Sequence, residues 1–149
     1  MIIISHRANI NGPKSAEFGE NHPASIDAAI NAGFDVEIDL RREDGKLVLG
    51  HDKGEYEIEE SFLFKKGLWI HCKNIEAAEF LNRFYNLNYF LHNEDDVVLT
   101  SNRFLWSYPR VSVLLTTASI AVMPELVPNW KNIDICAGIC TDFPSSISY

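Results

Sequence analysis

The chain has 149 residues, of which 46% are hydrophobic and 23% are charged, and 21 acidic against 13 basic side chains give a net charge of -8. This length and composition predict one globular domain spanning residues 1–149. The negative charge repels nucleic-acid backbone and anionic membrane surfaces, and no Lys/Arg-rich run offsets it, so neither is expected as a partner.

The first residues and the cysteines narrow the setting further. The opening MIIISHR is too short an apolar run for a signal peptide, and no membrane span is expected from it. Cys72, Cys136 and Cys140 are odd in number and lack paired CxxC spacing, which indicates neither a disulfide framework nor a zinc knuckle. A cytoplasmic protein is the resulting expectation.

In chain order, the first part of the sequence alternates strand and helix patterns. MIIISHR predicts a buried strand, and HPASIDAAINAG predicts a helix with Pro23 in its first turn and Gly33 at its end. FDVEIDL alternates apolar and acidic residues, as a strand does, and Asp44-Gly45 predicts a tight turn into a second short strand. LWIHCK predicts a strand, NIEAAEFLNRFY a helix capped by Asn74, and NYFLHN another strand.

After residue 93 the sequence predicts strands but leaves little room for helices. VVLTS, FLWSYP, SIAVMP and AGICTDFP all have strand composition. Repeated strand–helix units favour a parallel sheet. We therefore predict an α/β fold, a compact, reduced TIM-like (β/α) barrel with helices concentrated in residues 22–85 and few in the C-terminal half.

Carboxylates occupy one face of the strand at residues 34–40. Asp35, Glu37 and Asp39 alternate with apolar residues, and two interpretations fit: the acids face water, or they line a barrel mouth and hold a cation. A single histidine is usually a hydrogen-bonded structural residue. However, many polar residues fall where predicted strands end, and in a parallel barrel these ends share one rim. The strand-end residues are His6, Arg7, His51, Asp52, His71, Lys73 and His92.

Several separated motifs together resemble the glycerophosphodiester phosphodiesterase family. ISHRAN and ENHPASIDAAINAGFDVEIDLRREDGKLVLGHD reproduce the family's His-Arg-Gly, Glu-Asn, Glu-x-Asp and His-Asp elements in order, over residues 4–52. The closing AGICTDFP is similar to the family's last strand. Residues 75–135 are far shorter than in ordinary members, so the resemblance implies a miniature phosphodiesterase.

The resemblance implies a role for each matching position. His6 and His51 match the general acid and base, Glu37 and Asp39 match metal ligands, and the family's third carboxylate ligand falls on His71. The substrate-binding set that follows is Arg7, Glu20, Asn21 and Lys73, to which we add His92 at the end of its strand. Ala8 stands where the family has glycine.

The expected cofactor is one divalent metal ion, Mn²⁺, Mg²⁺, Ca²⁺ or Zn²⁺. An all-oxygen site suits Mg²⁺ or Ca²⁺, whereas an imidazole from His71 beside two carboxylates shifts the preference toward Mn²⁺, Co²⁺ or Zn²⁺. In the alternative interpretation, His71 contacts the phosphate and does not bind the metal.

The expected function is metal-dependent hydrolysis of a small phosphodiester, a glycerophosphodiester or a glycerol-phosphate-containing glycan, by histidine acid/base catalysis. The alternative is a non-catalytic phosphate- or phosphosugar-binding module.

Other polar and aromatic residues have simpler interpretations. His22 reads as a helix cap, residues 93–96 as a solvated turn, and the tryptophans as packing residues, although Trp106 and Tyr108 could border a glycerol or sugar pocket. Glu125 and Asp142 end late strands, and whether they reach the site is left open.

Overall fold

A computed structural model describes residues 1–147 as a curled, mixed β-sheet with two α-helices. In chain order the elements are β1 (Ile2–His6), α1 (Pro23–Asn31), β2 (Asp35–Glu43), β3 (Lys46–Leu49), β4 (Tyr56–Ile58), β5 (Leu68–Cys72), α2 (Ile75–Leu81), β6 (Tyr89–Leu91), β7 (Val97–Leu99), β8 (Leu105–Ser107), β9 (Ser119–Val122) and β10 (Gly138–Thr141). His22 caps α1 by accepting from the Ala24 N–H, and Asn74 caps α2 by accepting from Ala77.

Most of the sheet is parallel, and its register aligns the carboxyl ends of the strands. The parallel strands pair in the order β6–β5–β2–β1–β10–β9–β8. His6 lies opposite Glu37, and Asp39 lies opposite His71. The far half of β2 pairs antiparallel with β3, which pairs with β4, and β7 pairs antiparallel with β8. The polar strand ends therefore meet at one edge.

The predicted TIM-like barrel is wrong: the protein is a curled half-barrel of mixed sheet in which helices do not alternate with strands. A parallel crossover needs about a dozen residues or more, usually a helix. Residues 92–96 and 100–104 are too short for one, so β7 runs antiparallel. Residues 108–118 and 123–137 are longer, but they form irregular chain and short 3-10 turns, including Pro124–Leu126.

Both sides of the curled sheet bury apolar residues. The convex side of β2 and β5 packs against α1 and α2 through a cluster that includes Ile26, Ile38 and Ile70. The convex side of β9 and β10 is covered instead by irregular chain, with Val127 and Trp130 packed on Ile139. Loop residues thus cover the apolar face of β9 and β10, as outer helices cover the sheet of a barrel with alternating helices.

The concave side carries its own apolar layer beneath the polar strand ends. Its buried members come from β1, β5, β6, β8, β9 and β10 and are Ile4, Trp69, Phe90, Trp106, Ile120, Val122 and Cys140. Because side chains two residues apart share a face, His6, His71 and Asp142 follow Ile4, Trp69 and Cys140 on this same side. Among the described residues, no helix is long and apolar enough to cross a membrane.

Candidate metal centre and cationic pocket

Two carboxylates and one imidazole meet where β2 and β5 run side by side. Glu37 and Asp39 are 2% and 0% exposed, and one ligand atom from each of Glu37, Asp39 and His71 lies within 4.8 Å of the others. The Nδ1 atom of His71 lies 3.4 Å from Asp39 Oδ1 and 3.6 Å from Glu37 Oε1. The predicted metal ligands are therefore neighbours in space, and the acids face the concave interior.

Asp39 is a buried anion held ionised by its neighbours. Burial raises the pKa of its carboxyl, but contacts with His51 and His71 and the charge of Arg7 outweigh burial, and the pKa lies well below its ordinary value. Asn21 fixes the carboxylate from behind: its amide donates to Asp39 Oδ2 at 2.9 Å, and its oxygen accepts from the Asp39 N–H at 2.8 Å. Asn21 thus orients a candidate ligand rather than lining the main cavity.

His71 has polar atoms without protein partners. Burial lowers its pKa, but contacts with Asp39 and Glu37 outweigh burial and raise it above 6.5. Within residues 1–147, His71 Nε2 and Asp39 Oδ1 are buried and accept or donate no hydrogen bond with proper geometry. Buried polar atoms normally find a partner. Two of the three candidate ligands therefore have a buried polar atom to which the described residues supply no hydrogen bond.

Two cations stand beside Asp39. Arg7 Nε lies 3.2 Å from Asp39 Oδ2, and Lys73 Nζ lies 3.7 Å from Asp39 Oδ1. Arg7 and Ala8 adopt positive φ angles of 52° and 69°, which turn the chain sharply after β1. This conformation costs a non-glycine residue about 1–2 kcal/mol, so Ala8 keeps a backbone shape that suits glycine better.

The two candidate acid/base histidines have different partners. His51 Nδ1 lies 3.3 Å from Asp39 Oδ2, and its Nε2 lies 3.3 Å from an Arg7 guanidinium nitrogen. Gly50, at φ 153°, admits no side chain because an added Cβ would lie 1.9 Å from the Lys53 carbonyl oxygen. His51 is therefore held at the end of β3 by a turn that only glycine fits.

His6 forms a paired unit with Asp142, which follows β10. His6 Nδ1 and Asp142 Oδ1 are 2.8 Å apart. Burial lowers the pKa of His6, but the hydrogen bond to Asp142 and the charge of Glu37 outweigh burial and raise it above 6.5. Burial raises the pKa of Asp142, whereas its hydrogen bonds to His6 and Asn9 lower it overall. With Nδ1 engaged, the free Nε2 of His6 is the atom left for chemistry.

Asn9 links this pair to the loop that follows β1. Its amide is fully buried and donates to Asp142 Oδ1 at 2.8 Å and to Glu20 Oε1 at 2.7 Å, while its oxygen accepts from the Ser15 N–H at 3.1 Å. Glu20 also lies 3.7 Å from Arg7. Sequence reasoning missed Asn9, and it left Asp142 open although the position of Asp142 at the end of a strand was the available signal.

A cavity of about 470 Å³ opens over this edge of the sheet. Its polar lining comprises His6, Arg7, His51, His71, Lys73, His92 and Asn93. The His92 ring stacks on His71 with centroids 4.9 Å apart. Glu20 and Asn21 line a smaller adjacent cavity shared with Arg7 and His51. Of the predicted substrate-binding residues, Arg7, Lys73 and His92 thus lie in the main cavity, and Glu20 and Asn21 lie beside it.

No family model, curated protein or solved structure matches the chain. The site itself brings a carboxylate–imidazole cluster together with two cations and two histidines at one edge of the sheet.

Proposed function

We propose that the protein is a metal-dependent phosphodiesterase that hydrolyses glycerophosphodiesters or glycerol-phosphate-containing glycans, as the resemblance to the glycerophosphodiester phosphodiesterase family implies. The observation that supports this most is the grouping of Glu37, Asp39 and His71 with Arg7 and Lys73. An anionic diester resists attack until its charge is neutralised, and this grouping offers both a metal site and fixed cations.

The residues fit a divalent ion. Glu37, Asp39 and His71 would hold it: His71 faces both carboxylates with Nδ1, and Asp39 Oδ1 has no hydrogen-bond partner among residues 1–147. Two oxygens and one imidazole nitrogen suit Mn²⁺, Co²⁺ or Zn²⁺ better than Ca²⁺. When bound, the ion supplies Lewis-acid polarisation of the phosphoryl oxygens.

The protein's own groups perform the remaining tasks. Arg7 and Lys73 bind the phosphate oxygens and orient the diester. His51 accepts the proton of the attacking hydroxyl, which by resemblance is the substrate's own neighbouring hydroxyl. His6, whose raised pKa keeps its protonated form available near neutral pH, donates a proton to the departing alcohol oxygen as the phosphorus–oxygen bond breaks. Water then opens the cyclic phosphate.

Hydrolysis of a panel of glycerophosphodiesters and bis(p-nitrophenyl) phosphate tests the proposal. Chelator-treated protein is assayed with and without Mn²⁺, Mg²⁺, Ca²⁺ and Zn²⁺, and we expect turnover only with metal. His51→Ala should lower kcat by about 10²–10⁴-fold, and Glu37→Gln should abolish activation by metal, both with unchanged circular dichroism. Glu57→Gln, at an exposed position on β4, is the matched control. Phosphate binding without turnover of any diester would instead make the protein a binding module.

A further inference from the structure

The cavity over the metal cluster has two chemically unlike walls. The wall formed at the ends of β1, β3, β5 and β6 carries the cations and histidines described above. The wall opposite is built by the chain that follows β8 and β9, and its residues are Tyr108, Pro109, Val122, Met123 and Leu126. Apart from the Tyr108 hydroxyl, these five side chains carry only apolar atoms or the Met123 thioether. The proposed catalytic groups do not use this second wall.

The apolar wall is exposed to the cavity and to solvent rather than buried in the core. Leu126 is 64% exposed and Tyr108 is 42% exposed, while Val122 beneath them is 6% exposed. Isolated exposed apolar side chains are common. Here, however, they share one cavity with the charged wall, so a ligand held at the charged wall lies within reach of the apolar one.

The 3-10 turn that carries Leu126 is hydrogen-bonded to the end of β10. Met123 adopts a left-handed conformation with φ 48°, and its N–H donates to the Cys140 carbonyl at 2.7 Å. Glu125 Oε1 accepts from Thr141 Oγ1 at 2.9 Å and from the Asp142 N–H at 3.2 Å. The turn is therefore anchored beside the Asp142–His6 pair.

A phosphate bound in the cavity interacts only with the charged wall. Its two ester groups extend from phosphorus, and a group directed away from Arg7 and Lys73 enters the space beside Leu126 and Tyr108. Burying a hydroxyl-rich alcohol against leucine, valine and methionine side chains removes water without replacing its hydrogen bonds, whereas an alkyl or aryl group gains from the same contact.

We propose that the substrate is a phosphodiester in which one ester group is apolar, and that Leu126 and Tyr108 select for it. This inference rests on the proposed function, because that function places the phosphate at Arg7 and Lys73. It narrows the substrate class away from diesters whose two alcohols are both small and polar.

Binding of methyl, butyl and octyl phosphate to the Mn²⁺-loaded protein tests the inference without turnover. Calorimetric titrations are run below the aggregation concentration of octyl phosphate. Each methylene that contacts the wall should lower the dissociation constant by roughly threefold to fourfold. Leu126→Asn should abolish most of this dependence on chain length. Leu114→Asn, which changes a leucine 67% exposed and outside the cavity, should preserve it.

Turnover of glycerophosphodiesters with a methyl or an octyl ester group separates the two proposals. We expect a higher kcat/KM for the octyl ester, and a lower octyl-to-methyl ratio in Leu126→Asn than in Leu114→Asn. Equal kcat/KM for both esters, with dissociation constants of methyl and octyl phosphate within about twofold, would overturn the inference and leave the proposed function standing. Leu126-dependent binding of octyl phosphate without turnover of either ester would support the apolar wall and contradict the phosphodiesterase.

Discussion

Asp39 illustrates why the alternating pattern of β2 alone did not decide whether its acidic face meets water or lines a cavity. The alternation of Asp35, Glu37 and Asp39 fits a wet face or a lined cavity equally well. In the structure the three acids divide: Asp35 accepts from the Trp69 indole N–H at 2.9 Å near the amino ends of the strands, while Glu37 and Asp39 are buried at the other edge. A buried carboxylate is tolerated only when it is paired, and Asp39 has both cations and histidines around it.

His71 contributes the one imidazole of the candidate ligand set, and His71→Glu tests whether it binds the metal. If His71 binds the metal, the carboxylate restores an all-oxygen site, so activation should move from Mn²⁺ toward Mg²⁺ or Ca²⁺. The measurement is kcat/KM against each ion, compared with wild type. His92→Glu, at the ring stacked on His71, is the control for added charge in the cavity.

The competing role of His71 gives a different result in the same assay. If His71 only contacts the phosphate, the new carboxylate repels substrate, so KM rises while the order of the activating ions stays as in wild type. That outcome would remove His71 from the ligand set and leave Glu37 and Asp39 as the proposed protein ligands.

At the scale of neighbouring elements, β1 and β10 place His6 beside Asp142, and Asp142→Asn tests this pairing. The amide keeps the shape but loses the charge that raises the pKa of His6. The basic limb of the pH profile of kcat/KM should therefore move to lower pH, and kcat should fall by up to about 10²–10⁴-fold, the typical contribution of a general acid. An unchanged limb would show that His6 is not the acid. Asp134→Asn, on a 3-10 turn, is the control.

Asp142→Asn should also change the free energy of unfolding, and the size of this change should depend on pH. The pKa of folded His6 is raised above 6.5. Protonated His6 therefore contributes fully to the free energy of unfolding below pH 6.5, and this contribution is lost as pH rises through the pKa of the folded state. The pKa of folded Asp142 is lowered below 3.8. Ionised Asp142 therefore contributes to the free energy of unfolding above pH 3.8, and this contribution is lost as pH falls through the pKa of the folded state. Urea unfolding should show the largest difference from wild type, about 1–3 kcal/mol, between these limits. A difference independent of pH would exclude the ion pair.

Local sequence signals predicted most elements because each depends on a few adjacent residues. Asp44-Gly45 makes the turn between β2 and β3, Asn74 caps α2, and the alternating residues of β2 form a strand. The direction of β7 depends on the length of the connections around it, which a propensity pattern does not contain. Asn9 was missed for a similar reason, since its partners Glu20 and Asp142 are distant in sequence.

For the whole molecule, the grouping of the candidate site residues was more predictable than the fold. The candidate ligands and cations follow parallel strands, and parallel strands place their ends together whether or not outer helices complete a barrel. The half-barrel keeps β1, β2, β5 and β10, which carry His6, Glu37, Asp39, His71 and the chain leading to Asp142. Irregular chain carrying Val127 and Trp130 packs on Ile139 and covers the remaining convex side.

Metal binding should stabilise the whole molecule, because the candidate ligands come from the paired strands β2 and β5 and are brought together only by folding. Mn²⁺ at about 100 times its dissociation constant should add about 2.7 kcal/mol to the free energy of unfolding. In a domain of this size each kcal/mol raises Tm by roughly 2–4 °C, so calorimetry should show an increase of several degrees over chelator-treated protein. Glu37→Gln should lose most of this increase, whereas Glu57→Gln, exposed on β4, should retain it. An equal increase in both variants would show that Mn²⁺ binds elsewhere, and Glu37, Asp39 and His71 would then be a structural ion-pair cluster rather than a metal site.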